Sequence, residues 1–63
     1  MDDQDFFQAY EAGERDFSHI DLSEYDFGGM ILENVNFSGA NLRQVNFCET
    51  SLYEIDFSNA DLS

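Results

Sequence analysis

From residue 15 onward, apolar positions recur every fifth residue. The chain there reads RDFSH, IDLSE, YDFGG, MILEN, VNFSG, ANLRQ, VNFCE, TSLYE, IDFSN and ADLS. The centres of these groups are Phe17, Leu22, Phe27, Leu32, Phe37, Leu42, Phe47, Leu52, Phe57 and Leu62, so all ten are Phe or Leu. Fixed-period self-similarity marks a stacked repeat architecture. A period of five is neither the 3.6 of a helix nor the 2 of a flat strand. Three extended residues followed by a two-residue turn account for it. Extended side chains alternate between faces, so the residue two before each centre points inward with it. Those residues are Arg15, Ile20, Tyr25, Met30, Val35, Ala40, Val45, Thr50, Ile55 and Ala60, and eight of the ten are apolar or aromatic. The residue between them points outward: Asp16, Asp21, Asp26, Ile31, Asn36, Asn41, Asn46, Ser51, Asp56 and Asp61, nine of ten polar.

The last two residues of each group must turn the chain. The second of them is Gly29, Asn34, Gly39 or Asn59 in four groups. Those residue types accept the positive φ of a type II turn. The chain therefore winds into a solenoid with a filled interior. Its centres alternate Phe and Leu without exception. An even number of sides stacks Phe on Phe and Leu on Leu, whereas three sides would interleave them. With four sides the outward columns include Asp16, Asn36, Asp56 and Asp21, Asn41, Asp61. Stacked carboxylates ~4.8 Å apart repel by about 1 kcal/mol even in water. An Asn between two Asp doubles their spacing and supplies an amide donor.

Residues 2–12 read as a short amphipathic helix. Asp2, Asp3 and Asp5 suit its N-terminus by capping and by the helix dipole. Phe6, Ala9 and Tyr10 share a face, Phe7 lies beside them, and Gly13 is a natural stop. A helix this short needs a tertiary partner. The first coil provides one, because its open edge exposes backbone and core. The organisation expected is a capping helix over residues 1–14 and a repeat domain over 15–63.

Units such as ANLRQ, VNFSG, IDFSN and ADLS resemble the pentapeptide repeat family, with ten consecutive units in register from residue 15 to 63. The lead-in FFQAYEAGERDFS is similar to the openings of bacterial members, photosynthetic ones especially. The resemblance implies an all-β fold: a right-handed quadrilateral β-helix of about two and a half coils, here with a short N-terminal capping α-helix. Arg15 in an inward slot, Ile31 in an outward one, and Tyr25 and Thr50 in place of a small residue depart from the pattern.

Composition narrows the function classes. With 63 residues there is room for one small domain, and 14 acids against 2 bases give a net charge of −12. Disorder is countered by 43% hydrophobic and 16% aromatic content. The single Cys48 allows no internal disulfide framework and no Cys cluster for zinc. There is neither an apolar run of membrane-spanning length nor a signal-peptide pattern, so the expected setting is cytoplasmic. A charge of −12 repels nucleic acid and anionic lipid, so neither is an expected direct partner.

Chemistry-bearing motifs are sparse. His19 stands at a turn without a nucleophile motif around it, and Cys48 falls at an outward turn position in acidic surroundings. The acids form no calcium-loop signature. Arg43 reads as a solvated charge. The expectation is a chain that is not an enzyme and takes no cofactor or metal. What remains is surface: an acidic interaction surface of Asp16, Asp21, Asp56, Asp61, Glu24, Glu49 and Glu54, distributed over the outside of a rod about 12 Å tall, at ~4.8 Å per coil. Some members of the family act as DNA mimics on gyrase and related topoisomerases, and the resemblance extends that possibility to this acidic surface as an alternative to a general protein-interaction or structural module. At the other end the repeat reaches Leu62, a core residue, with no covering segment after it. Solenoid ends need cover. The free coil therefore pairs with another chain, continues into a longer protein, or frays. The expectation carried forward is end-to-end homodimerisation through Phe57, Ala60 and Leu62.

Overall fold

The structure, a computed structural model, describes residues 3–63. The helix expected over 2–12 is α1, Asp3–Glu11. The capping expected of Asp2 lies outside the described residues. Gly13 ends the helix with φ +101°. Its N–H donates to the Tyr10 carbonyl at 3.0 Å, and the Glu14 N–H donates to the Ala9 carbonyl at 2.9 Å. These are the two bonds of a Schellman motif, and they satisfy carbonyls that the helix leaves open.

Helix α1 seats Phe6 in the mouth of the first coil. Phe6 has 0% exposure, and its ring centroid lies 4.5 Å from that of Phe17 and 4.9 Å from that of Phe27. Phe6 therefore packs between those two centres. The expected cap is thus an aromatic plug. Two side chains finish the edge. The Glu14 carboxylate accepts from the N–H groups of Arg15 and Asp16 at 3.0 and 3.1 Å, and the Tyr10 hydroxyl accepts from the Glu33 N–H at 3.0 Å. Each oxygen stands where a preceding coil would present a carbonyl. Arg15 occupies its inward slot only in part. Its guanidinium lies 3.9 Å from the Tyr10 ring centroid and donates to the carbonyls of Tyr10 and Glu14, both at 2.9 Å.

Below the helix, groups twenty residues apart pair in parallel. Strand β1, Ile31–Glu33, pairs with β2, Ser51–Tyr53, in the register Ile31↔Ser51, Leu32↔Leu52, Glu33↔Tyr53. Parallel bridges join Asp16 to Asn36, Asn36 to Asp56, Asp21 to Asn41, Asn41 to Asp61, and Asp26 to Asn46. The ladder runs through both faces of each side. For example, the Phe17 N–H donates to the Asn36 carbonyl at 2.9 Å, and the Asn36 N–H donates back to the Arg15 carbonyl at 2.8 Å. Four groups of five per repeat of pairing agree with the Phe-on-Phe and Leu-on-Leu columns.

Regular strand is nevertheless confined to β1 and β2. The other sides carry single bridged residues, and their outward Asp and Asn supply the reason. Each accepts from the N–H two residues later: Ser18 to Asp16 at 3.1 Å, Ser23 to Asp21 at 2.9 Å, Gly28 to Asp26 at 2.8 Å, Ser38 to Asn36 at 2.9 Å, Cys48 to Asn46 at 2.9 Å. A side-chain oxygen that holds this amide takes it out of a strand ladder and starts the turn. Ile31 lacks an acceptor oxygen, so that side stays extended.

The turns are also more uniform than Gly and Asn positions alone predict. Besides Gly29, Asn34, Gly39 and Asn59, the residues His19, Glu24, Gln44, Glu49 and Glu54 have positive φ, between 54° and 65°. A β-carbon makes that conformation costly by about 1–2 kcal/mol per residue. Stacking enforces it here. The His19 and Glu24 N–H groups donate into the next coil at 2.9 and 2.8 Å.

The interior is closed at the helix end and open at the other. Phe17, Leu22, Phe27, Leu32, Phe37 and Leu42 are buried, as are Tyr25, Val35 and Ala40. Phe47 and Phe57 are half-buried, while Leu52 and Leu62 are exposed at 38% and 52%. Thr50 fits its inward slot by donating its hydroxyl to the Phe27 carbonyl at 2.8 Å. The extents are 26 × 22 × 21 Å. The expected rod is therefore corrected to a nearly isotropic body: the coils are as wide as the short stack and its helix are tall.

Candidate interaction surfaces

The outward aspartates are held rather than loose. The Ser18 hydroxyl and then the Ser18 amide hold the Asp16 carboxyl below its ordinary range. The Ser58 hydroxyl and amide do the same for Asp56. At Asp21 the Ser23 amide leads, followed by the Ser23 hydroxyl. Asp61 is lowered furthest, to about 2, by the Ser63 hydroxyl, by Arg43 and by the Ser63 amide. Hydrogen bonds given to the charged form favour that form. Arg43 is largely exposed, as expected of a solvated charge, and it is also ion-paired. Its Nε lies 2.6 Å from an Asp61 oxygen in the next coil.

The acidic set is spread over several sides and corners. Asp16 and Asp56 stand on one side with Asn36 bridged between them, and Asp21 and Asp61 on the next with Asn41 between. Glu24, Glu49 and Glu54 occupy positive-φ corners of three different turns. The seven residues are thus distributed around the coil. An Asn amide that bonds a stacked Asp does occur, at Asn46 to Asp26, 3.1 Å. It lies in the column that sequence reasoning did not single out.

The expected end surface is larger than the three residues named for it. Phe57 and Ala60 are half-buried and Leu62 is exposed. A mainly apolar cavity of about 290 Å³ opens beside Phe57 and Leu62, lined also by Leu42, Val45, Phe47 and Leu52. The period of twenty could have identified Phe47 and Leu52, which are centres of the same twenty-residue turn as Phe57 and Leu62.

A third surface follows the one side without outward Asp or Asn. Ile31 and Tyr53 are 60% and 57% exposed, as the alternation predicts for both. Phe7, 37% exposed, extends the apolar surface onto the helix. Among the described residues there is no group of His, Cys, Asp and Glu suited to hold a metal ion, and no helix is long and apolar enough to cross a membrane. Cys48 is an exposed free thiol.

Comparison with known proteins bears on what these surfaces belong to. No curated protein and no solved structure gives a significant match. The family described as Pentapeptide repeats matches residues 16–47 and 32–63, with eight copies, which together cover about three quarters of the chain. The repeat in the sequence, the twenty-residue pairing and this match agree: the chain belongs to the pentapeptide repeat family.

Proposed function

We propose that this protein is a non-enzymatic, acidic interaction module built on a right-handed quadrilateral β-helix of about two and a half coils, acting in the cytoplasm. The observation that carries this reading is the contrast between inside and outside. Phe6 and the centres from Phe17 to Leu42 have 0–1% exposure, while Asp16, Asp21, Asp56 and Asp61 stand on the exterior with lowered pKa values. A packed interior leaves recognition to the surface, and pre-oriented carboxylates favour a cationic partner by steering and by charge complementarity. The test replaces those four aspartates by Asn, which keeps an acceptor oxygen for each turn. A stoichiometric partner recovered at low salt is expected with the parent protein and not with the variant. Equal recovery by both would overturn the reading.

The second reading is a DNA mimic that binds the DNA site of gyrase or another topoisomerase. It is favoured by the carboxylates that stay ionised at neutral pH in two coil-spanning columns. Each column spans two coil steps, about 10 Å at ~4.8 Å each, which matches about 3 base pairs at ~3.4 Å each, so one copy would occupy a short stretch of such a site. Inhibition of supercoiling that falls steeply with salt is the expected result. No inhibition at low salt and excess protein removes this reading.

For the open end we propose a homodimer through the C-terminal coil, with Phe57, Ala60 and Leu62 at its centre. The helix covers the opposite end, so a tail-to-tail pair buries both apolar cavities and closes after two copies. Sedimentation at tens of micromolar reads this directly, and a monomeric mass would exclude it.

A further inference from the structure

The side that carries β1 and β2 differs from the other three in chemistry as well as backbone. Where they present Asp or Asn, it presents Ile31 and Ser51. Two grooves meet at Ile31. One, of about 520 Å³, runs up to Phe7, Tyr10 and Met30. The other, of about 770 Å³, runs down past Leu52 to Tyr53. Ile31 and Tyr53 are more than half exposed; Ile31 stands over Ser51 and Tyr53 under Glu33, so with Phe7 on the upper groove they form an apolar stripe that crosses the two coils diagonally. Glu11 borders the upper groove, and Glu33 and Glu54 border the lower one. Among the described residues that line the two grooves the one cation is Arg15, and its guanidinium is already engaged by the Tyr10 ring and by two backbone carbonyls.

We propose that this face docks a segment of another protein in which apolar side chains alternate with Lys or Arg. The stripe takes the apolar side chains, which gain by leaving water. The glutamates on its borders take the cations. Charge decides against the other occupants. A second copy would set Glu11, Glu33 and Glu54 against their own counterparts on a chain of net charge −12, and anionic lipid would meet the same repulsion. The proposal rests on the interaction-module reading and names its surface and its partner chemistry.

The test titrates isotope-labelled full-length protein with two synthetic peptides of equal length and charge, one alternating Lys with Leu and the other Lys with Ser, at about 150 mM salt, where bare charge attraction is screened beyond ~8 Å. The Lys-Leu peptide is expected to bind at least about tenfold more tightly. Its shifts should centre on the amides of Ile31, Glu33, Ser51 and Tyr53. The double variant Ile31→Ser, Tyr53→Ser should lose that preference, while Asp16→Asn, Asp56→Asn should keep it. Equal affinity for both peptides would overturn the docking face and leave the acidic-module reading standing. Shifts centred on Leu62 and Phe57 would place the apolar contact at the open coil end and overturn the proposal in favour of that end. Failure of both peptides to bind even at low salt would remove the module reading as well.

Discussion

At the scale of single residues, the outward Asp and Asn serve the backbone before they serve any partner. Each accepts the amide two residues on, and at Asp16, Asp56 and Asp61 a serine hydroxyl donates to the same oxygen. This gives pH a defined direction. A folded pKa lowered below the unfolded one stabilises the fold above about pH 3.9 and loses that contribution as pH falls through the folded value. For Asp61 that value is about 2. The melting temperature is therefore expected to hold steady from neutral pH to about 4 and to fall below it. In a carboxyl titration followed by NMR, Asp61 should titrate last, and Ser63→Ala should raise its midpoint. A second residue-scale device is the contact between His19 and Gly39. Gly39 has φ +68°, and a β-carbon added there would lie 2.4 Å from His19 Nδ1. Gly39→Ala should cost more than about 1 kcal/mol by chemical denaturation, since the left-handed backbone alone costs about that much. His19→Ala in the same chain should recover the steric part and leave the backbone part.

At the scale of elements, α1 functions as a substitute for a coil that precedes the first. Phe6 replaces a core aromatic, Glu14 and Tyr10 replace carbonyl acceptors, and the Schellman turn at Gly13 passes the chain from helix into coil. Removing the plug should expose Phe17, Phe27 and Leu22 together. Phe6→Ala is expected to destabilise by about 3–5 kcal/mol, the usual range for a buried Phe truncated to Ala. Hydrogen exchange should show the loss first at the amides of Phe17 and Leu22. A uniform rise in exchange across all coils would instead mean that helix and coils unfold as one unit.

At the scale of the whole molecule, a net charge of −12 sits on a body about 26 Å long. Self-repulsion opposes compaction, and salt screens it. The melting temperature should rise as sodium chloride goes from low concentration to a few hundred millimolar. A melting temperature that falls with salt would instead make the Arg43–Asp61 pair a dominant stabiliser, which its exposed setting argues against. The charge does not collect into one acidic face, because the register that stacks Phe on Phe also sends Glu24, Glu49 and Glu54 to three different corners.

Much of this was legible in the amino-acid sequence. The five-residue period, the Phe and Leu centres, the inward row, the helix that covers the first coil and the exposure of Ile31 and Tyr53 all follow from alternation and side-chain polarity, which are local properties of the chain. Three features were not. That Asp and Asn hold the turn amides depends on backbone dihedrals set by the stack. That His19, Glu24 and Gln44 adopt positive φ runs against their own preferences and is enforced by hydrogen bonds from their amides to residues about twenty positions away. That Arg43 meets Asp61, and that Phe47 and Leu52 join Phe57 and Leu62 around one open cavity, is decided by which coil lies beneath which. A repeat determines the shape of each unit by itself, whereas only the stacked coils determine which units end uncovered and which side chains meet across them.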